Sequence, residues 1–321
     1  MNSKNGWNII WQVDPERREL CIERDWYRYL FADVPVARKY VDYDDQPLLS
    51  VQSTPAIVCA SCPNLVSAAD LSSYLQSLPR PRVLYHMSDE YLRAGTELYE
   101  HCDLVIRNGS ALFSSFENSN FLQLPLGFSV GFENPGGMGL PAIRRQYSVA
   151  FLGKMKHDRK AEMLPALQTM PGEHYLRETL NWAEALRNFN QSSTSIYRQA
   201  VFVPCPKGNW NPECNRLYDA LEWGCIPLIR NYTATPYQDD YYSKLLGPHP
   251  LPEFDHWDDA ASFASEVLQR PDRLNVLQVE VFGWWQEYKL RLKQAVEQQL
   301  AGMLQSHSQS QSSSKTKEIH P

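Results

Sequence analysis

The pattern of hydrophobic and polar positions alternates between two kinds of segment along the first half of the chain. Short apolar runs bounded by polar or turn residues predict strands, and longer stretches with apolar residues at helical spacing predict helices. The predicted strands are Trp7–Trp11, Ala56–Ala60, Arg82–His86 and Asp103–Arg107, and the predicted helices are Leu65–Leu78 and Glu90–His101. Strands that alternate with helices in this way favour a parallel sheet that is covered on both faces.

The alternation stops near the middle of the chain and then starts again. Five glycines fall between Gly127 and Gly139, with Pro135 and Pro141 beside them, and such a segment resists both helix and strand. The second half contains predicted strands at Tyr147–Leu152, Ala200–Pro204 and Ile226–Arg230 and predicted helices at Arg159–Thr169, Pro212–Trp223 and Pro271–Met303. The sequence therefore predicts two α/β domains joined by a glycine-rich segment.

We place the domain boundaries from these patterns. Residues 1–130 are predicted to form an N-terminal α/β domain, residues 131–146 a linker, and residues 147–304 a C-terminal α/β domain whose last helix can pack back on the first. The stretch 305–321 is rich in Ser, Gln and Lys and has few apolar residues. Because such a composition buries too little apolar surface to order itself, we predict that this tail is disordered.

Composition narrows the classes of protein and partner. A length of 321 residues suits two domains, and 43% hydrophobic with 21% charged residues is typical of a soluble globular protein. The net charge of −6 argues against nucleic acid as a partner, because neutralising phosphates needs a basic surface. We find neither an apolar run long enough to span a bilayer nor a signal-type N-terminus. Seven scattered cysteines suit reduced thiols, so we predict a cytoplasmic protein without a transmembrane segment.

The segment from residue 201 to residue 229 carries the most chemical information. An apolar strand ends at Pro204, and a polar loop with Lys207 and Gly208 follows. Asn211 suits a helix N-cap and Pro212 the first helical position, and a glycine at position 224 is placed to end the helix. The order is therefore strand, loop, helix and strand.

This order puts a helix N-terminus at the carboxyl end of a parallel strand, where open α/β sheets bind ligands. The free amides and the partial positive charge there favour anions. Arg216 lies about one turn into the helix and Asp219 follows at i+3, so the guanidinium could bind phosphates and the carboxylate ribose hydroxyls. The same spacing also occurs in a solvated ion pair that contributes little to stability. The sequence leaves both interpretations open.

A second candidate site lies at the end of a strand in the first half. His86, Asp89 and Glu90 can each accept a proton, so they are candidate general bases. The alternative is structural: Ser88 or Asp89 caps the next helix and His86 is packed in the core. Capping and catalysis do not exclude each other.

Three segments together resemble a known family. The run from Cys205 to Ile229 is similar to the C-terminal signature of exostosin-like glycosyltransferases, in which a CPRG-type loop precedes an arginine-containing helix. Tyr147–Lys154 resembles the strand and basic loop that open the family's nucleotide domain. Val83–Glu90 resembles an acceptor-domain segment of relatives such as ribitol xylosyltransferase.

The resemblance implies a GT-B architecture, with two Rossmann-like domains whose parallel sheets face each other across a cleft. It implies transfer of a sugar from a nucleotide sugar, most often linked to UDP, to a hydroxyl of a glycan or other acceptor, with inversion. Neither a metal nor another cofactor is expected, because a helix dipole and basic side chains can stabilise the leaving diphosphate. The candidate donor-binding residues are Gly153, Lys154, Arg159, Lys207, Gly208, Trp210, Asn215, Arg216 and Asp219.

Two of these positions depart from the family's pattern. Asp219 stands where the family usually has glutamate, the presumed ribose contact, and Lys207 replaces the usual arginine. The alternatives are a non-catalytic module of the same fold, which binds nucleotide sugars or glycans, and a sugar-nucleotide epimerase.

Overall fold

The computed structural model of the chain describes two sets of elements. The residues described are 6–11, 22–41, 55–62, 66–87, 89, 93–108, 120–156, 158–179, 193–208, 211–232 and 240–317. The strands are β1 Trp7–Trp11, β2 Val36–Val41, β3 Ala56–Ala60, β4 Arg82–His86, β5 Leu104–Asn108, β6 Phe121–Leu124, β7 Tyr147–Gly153, β8 Glu173–Glu178, β9 Ala200–Cys205, β10 Ile226–Arg230 and β11 Glu253–Phe254. The α-helices are α1 Arg24–Leu30, α2 Ala68–Ser77, α3 Leu164–Gln168, α4 Thr194–Arg198, α5 Asn215–Glu222, α6 Tyr241–Leu246, α7 Trp257–Leu268 and α8 Pro271–Lys317.

The strands form two sheets. The first has the order β2-β1-β3-β4-β5-β6 and the second the order β11-β10-β9-β7-β8. Every strand pair observed in the described residues is parallel. The predicted fold class, α/β with two parallel sheets, is confirmed.

The chain divides into two compact units, which we name by number. Unit 1 contains residues 1–21, 27–124 and 290–321, and unit 2 contains residues 22–26 and 125–289. In unit 1 the described C-terminal part of α8 is held by Lys293, whose Nζ lies 2.6 Å from an Asp33 carboxylate oxygen. Helix α8 therefore supplies residues to both units.

Each unit has its own hydrophobic core. In unit 1 the central strands β3 and β4 are buried, and Leu71 and Leu75 of α2 pack against them with Leu98. In unit 2 the inner strands β7 and β9 contribute Phe151 and Phe202, which pack with α3 and α7. The near-continuous apolar runs of these strands follow from a sheet covered on both faces.

The sequence missed several elements at the sheet edges. β2 forms one edge of the first sheet, and β8, which forms an edge of the second, is half-buried or exposed throughout. Because a strand with mixed polar and apolar residues gives a weak pattern, neither was predicted. Helix α2 starts at Ala68 with Ser67 as its N-cap, three residues after the predicted start.

Two predicted helix ends differ from the structure. The N-cap of α5 is Cys214 and not Asn211, so Pro212 precedes the helix. α8 continues to Lys317, whereas we predicted disorder from residue 305. Extending a helix that is already packed costs little, and the hydroxyls of Ser306 and Ser308 donate to carbonyls one turn back. Within the described part of the chain, no helix is long and apolar enough to cross a bilayer.

Candidate functional site

The candidate site of unit 2 lies where the strand order reverses. The chain runs from β7 to its neighbour β8 and then crosses to β9 on the other side of β7. Parallel sheets bind ligands at such a switch point, beyond the carboxyl ends of the two strands. Here those ends are Gly153 and Cys205, and the first residue of α5, Asn215, follows the loop after β9.

Arg216, in the first turn of α5, lies against the end of β7. Its Nε donates to the Leu152 carbonyl at 3.1 Å, and its guanidinium carbon lies 4.5 Å from the centre of the Phe151 ring. Gly153 makes this approach possible, because a Cβ atom there would lie 2.3 Å from Arg216 Nη2. The arginine is half-buried and fixed by the protein, unlike a solvated surface arginine.

Arg159 brings a second guanidinium to the same place. It is 6% exposed, and its two terminal nitrogens donate to the carbonyls of Lys154 and Lys207 at 2.8 and 2.7 Å. Burial and, next, the charge of Arg216 lower the pKa of Arg159. Within the described residues, neither arginine forms a salt bridge with a carboxylate. Two adjacent guanidiniums without a carboxylate partner favour the binding of an anion.

The other basic and loop residues surround this arginine pair. The Lys207 amide donates to the Tyr232 hydroxyl at 3.0 Å, and its ammonium lies 5.4 Å from the centre of that ring. Gly208 donates its amide to the Asn211 carbonyl at 3.0 Å, which shapes the loop. The Lys154 side chain is exposed, and its carbonyl is the one that holds Arg159. Trp210 lies outside the described residues.

Asp219 lies elsewhere than the sequence indicated. It is 2% exposed, and its carboxylate accepts the Ser129 amide at 2.7 Å and the Ser129 hydroxyl at 3.0 Å. Burial raises the pKa of Asp219 to about 8, against the opposing effects of the Ser129 hydrogen bonds and Arg216. Asn215 similarly donates to the Gly127 carbonyl at 3.3 Å. Both side chains therefore bind the segment 125–134, which we call the strap.

Sequence reasoning missed that α5 is buried on all sides after its first turn. Glu213 accepts the Leu126 amide at 3.1 Å, and Glu222 accepts the Asn134 amide at 3.1 Å. Together with Asp219 these carboxylates hold the backbone of the strap, which belongs to no helix or strand. Acidic residues in and just before a short helix are typical of a solvated face, so the sequence pattern did not signal this burial.

The candidate base His86 is enclosed in unit 1. It is 1% exposed, and its Nε2 lies 2.9 Å from the Cys62 carbonyl, so Nε2 carries the proton. Nδ1 therefore accepts, from the Tyr99 hydroxyl at 2.7 Å and from Arg107 at 3.1 Å. Burial and then the Arg107 charge lower the pKa of His86 to about 4. The residue packs as the structural alternative predicted, and both ring nitrogens are occupied.

The neighbouring acid Asp89 also has protein partners. Its two oxygens accept the amides of Arg93 and Ala94 at 3.0 and 3.1 Å, and Arg107 lies 4.0 Å away. It is 1% exposed and caps the turn that follows β4. Glu90, the third candidate base, lies outside the described residues, as does Ser88. Among the described residues, no three His, Cys, Asp or Glu side chains are grouped to hold a metal ion.

Solved structures similar to this chain are glycosyltransferases. HepE from Anabaena in complex with UDP and glucose is 12% identical, with a TM-score of 0.53 over 94% of this chain and 100% of that one. The DNA-modifying enzyme β-glucosyltransferase, studied with and without uridine diphosphoglucose, is 11% identical, with a TM-score of 0.55 over 93% and 99%. At this identity the similarity shows the fold alone, and the fold is GT-B.

The family is shown by sequence. The chain matches no curated protein. The model of the RXYLT1 C-terminal domain family matches residues 138–304, just over half of the 321 residues, and this range contains the Arg159 and Arg216 site. The resemblance to exostosin-like enzymes of the ribitol xylosyltransferase type is thus confirmed, and the chain belongs to the RXYLT1 C-terminal domain family of glycosyltransferases.

Proposed function

We propose that the protein transfers a sugar from a UDP-linked donor to an acceptor hydroxyl with inversion and without a metal ion. The observation that carries the proposal is the pair of guanidiniums, Arg159 and Arg216, at the switch point of the unit 2 sheet. They lie beside the first turn of α5, whose amides add to the positive potential. This arrangement suits a diphosphate.

The arginine pair also suits the chemistry of the transfer. As the bond to the sugar breaks, negative charge grows on the diphosphate, and fixed cations stabilise that charge without reorganisation. Arg216 is held by the Leu152 carbonyl and Arg159 by two carbonyls, so both are fixed before the donor binds. Lys154, Lys207, Gly153, Gly208 and Trp210 complete the proposed donor site. Asp219 is not a ribose contact in this proposal, because its oxygens bind Ser129.

For the acceptor side we propose that Asp89 or Glu90 takes the hydroxyl proton. The neutral His86, with Nδ1 already accepting two hydrogen bonds, then acts by holding Tyr99 and Arg107 in place. A single displacement with one base inverts the anomeric centre. The variants Asp89→Asn and Glu90→Gln separate the two candidates. The variant that removes the base is expected to abolish transfer, and the other variant is expected only to weaken it.

The donor is tested by titrating the purified protein with UDP and a panel of UDP sugars in a calorimeter. We expect saturable binding of UDP that Arg216→Ala weakens, and a protein that binds none of these nucleotides would refute the proposal. NMR of the product gives its anomeric configuration and thereby tests inversion. Activity that survives EDTA would support the metal-free donor site, and activity lost in EDTA and restored by Mg²⁺ or Mn²⁺ would refute it.

A non-catalytic nucleotide-sugar-binding module is the second candidate. The observation that favours it is that His86 and Asp89 both have their polar atoms engaged inside unit 1. Slow, Arg216-dependent release of UDP from a UDP sugar without acceptor indicates an enzyme. Tight binding without any turnover indicates the module, and a changed sugar still attached to UDP indicates an epimerase.

For the acceptor we propose a glycan or another hydroxyl compound in the cytosol. The net charge of −6 disfavours DNA, although one structural neighbour is a DNA-modifying enzyme. The cysteines in the described part of the chain are free thiols, which is in keeping with a reducing compartment. Adding duplex DNA to the transfer assay tests this proposal directly. A duplex that receives the transferred sugar would refute the proposed class of acceptor.

A further inference from the structure

The carboxyl end of β10 carries two side chains that the proposed transfer reaction does not use. Arg230 is the last residue of the strand, and Tyr232 follows it by two residues and is half-buried. Because β10 pairs with β9 in parallel, the residues after β10 lie beside the loop that follows β9. That loop contains Lys207, whose carbonyl helps to hold Arg159.

Tyr232 contacts Lys207 in two ways. Its hydroxyl accepts the Lys207 amide at 3.0 Å, and the Lys207 ammonium lies 5.4 Å from the centre of its ring. A cation over an aromatic ring at this distance is attracted to it. Burial raises the pKa of Tyr232 to about 12, so the hydroxyl stays neutral at physiological pH and acts as a hydrogen-bonding group. Tyr232 thus holds both the backbone and the side chain of Lys207.

Lys207 in turn fixes the direction of the Arg159 guanidinium. Its carbonyl accepts Nη2 of Arg159 at 2.7 Å, and the Lys154 carbonyl accepts Nη1 at 2.8 Å. The Nε of Arg159 is buried and has no hydrogen-bond partner among the described residues. The direction of the guanidinium therefore depends on two backbone carbonyls. Each terminal nitrogen carries a second N–H group that can bind a phosphate oxygen.

Arg230 supports the same arrangement from the strand. Its guanidinium carbon lies 5.4 Å from the centre of the Tyr232 ring, and its Nε donates to the Asp255 carbonyl at 2.9 Å. Its Nη1 lies 2.5 Å from a carboxylate oxygen of Glu162, which belongs to the helical turn Arg159–Met163. One arginine therefore contacts both the Tyr232 ring and the turn that carries Arg159.

The two guanidiniums of the donor site have separate supports. Arg216 is held by the Leu152 carbonyl and the Phe151 ring, and Arg159 by the carbonyls of Lys154 and Lys207. A monophosphate offers one phosphate group, which binds best where the amides of α5 add to the charge of Arg216. A diphosphate offers a second group for Arg159. Loosening Arg159 alone should therefore weaken a diphosphate more than a monophosphate.

We propose that Tyr232 is a positioning residue that, through Lys207, aligns Arg159 with the second phosphate of the donor. Tyr232 thereby sets the preference of the site for nucleoside diphosphates over nucleoside monophosphates. The proposal rests on the proposed function of the Arg159 and Arg216 site as the binding site of a diphosphate.

The test is calorimetric titration of the full-length protein with UDP and with UMP. The natural protein should bind UDP more tightly than UMP. Tyr232→Phe keeps the ring and removes only the hydroxyl, so we expect UDP binding to weaken about tenfold and UMP binding by less than about twofold. A general disturbance of the loop would weaken both nucleotides alike. That result, or an unchanged affinity for UDP, would overturn the proposal.

A double-mutant cycle shows whether Tyr232 acts through Arg159. Arg159→Met should weaken UDP binding by at least about tenfold, and adding Tyr232→Phe to it should have no further effect. A further tenfold loss in the double variant would contradict the proposed route through Arg159.

Tyr288→Phe is the matched control. The Tyr288 hydroxyl donates to the Leu245 carbonyl at 3.4 Å, elsewhere in unit 2, so both nucleotides should bind this variant as they bind the natural protein. UDP binding that depends on Arg159 and not on Tyr232 would refute this inference and leave the proposed function intact. A natural protein that binds neither nucleotide would refute both.

Discussion

The two units have the same strand topology and use their buried arginines in different ways. In both sheets the second strand of the unit lies outside the first, and the third strand lies on the other side of the first. In unit 1, Arg107 is fully buried and donates to His86, the Tyr99 hydroxyl and the Asp89 carbonyl. In unit 2, Arg216 is half-buried, and its Nη2 has no hydrogen-bond partner among the described residues.

This difference teaches what separates a structural cation from a binding one. Both arginines lie at the carboxyl end of a parallel sheet, so position in the fold does not decide their roles. Arg107 directs its terminal N–H groups to protein acceptors, whereas Arg216 keeps donors available and lies beside a second guanidinium. We therefore expect variants of Arg107 to lose stability and variants of Arg216 to lose UDP affinity.

The largest effect is expected for Arg107→Met, on stability. Removing the guanidinium takes the cationic partner from the buried Asp89 carboxylate and a donor from the Asp89 carbonyl, and breaking such a buried pair costs about 3–5 kcal/mol. The free energy of unfolding from urea titrations measures the loss. Arg80→Met is the control, because the Arg80 side chain is 56% exposed and its pair with Asp103 contributes less than about 1 kcal/mol. A loss for Arg107→Met no larger than for the control would contradict a structural role.

The next effect concerns His86 and acid. Its pKa is about 6.5 in the unfolded chain and about 4 in the folded one, so the unfolded state binds more protons between these values. The contribution of His86 therefore lowers the free energy of unfolding by on the order of 3 kcal/mol as the pH falls from about 6.5 to about 4. Above about pH 6.5 it has no such effect. His86→Gln should flatten the pH dependence of the unfolding free energy in that window.

The quantity to compare is the slope of the unfolding free energy against pH and not the absolute stability, because His86→Gln also loses packing. His256→Gln is the matched control, since His256 is exposed at the start of α7. If the two variants and the natural protein show the same slope between pH 6.5 and 4, the buried neutral state assigned to His86 is wrong.

Arg216→Met tests the other side of the comparison. Losing a charge-assisted contact with a diphosphate is expected to weaken UDP binding about 100-fold, which corresponds to about 2.7 kcal/mol. Because Arg216 is only half-buried, the unfolding free energy should change by no more than about 1 kcal/mol. Arg273→Met, which removes an exposed pair with Glu266 on α7, should leave UDP affinity unchanged. Equal affinity for Arg216→Met and Arg273→Met would remove the basis of the donor site.

The sequence predicted the interior of the fold well. The bounds of Trp7–Trp11, Ala56–Ala60, Arg82–His86 and Ile226–Arg230 agree with the structure. These strands are buried on both faces or bounded by turn residues, so their apolar runs have clear ends. Gly224, with φ +63°, ends α5 as expected.

The sequence could not predict which side chains face the ligand position. Asp219 lies three residues after Arg216, yet its carboxylate binds Ser129, which is 90 residues away in the chain. Spacing along a helix gives the angle between two side chains and says nothing about which long-range segment packs against them. The strap is such a segment, and its irregular backbone has no periodic pattern.

The smallest effect is expected for Gly153→Ala, and it isolates the position of Arg216 from its charge. The new Cβ would lie 2.3 Å from Arg216 Nη2, the end of a flexible side chain, so the guanidinium moves and the backbone stays. UDP binding should weaken by about tenfold, or about 1.4 kcal/mol, while the unfolding midpoint barely changes. Gly283→Ala is the control, because a Cβ on that α8 residue has no neighbour within 4 Å. Unchanged UDP affinity for Gly153→Ala would show that UDP binding does not depend on the exact position of the Arg216 guanidinium.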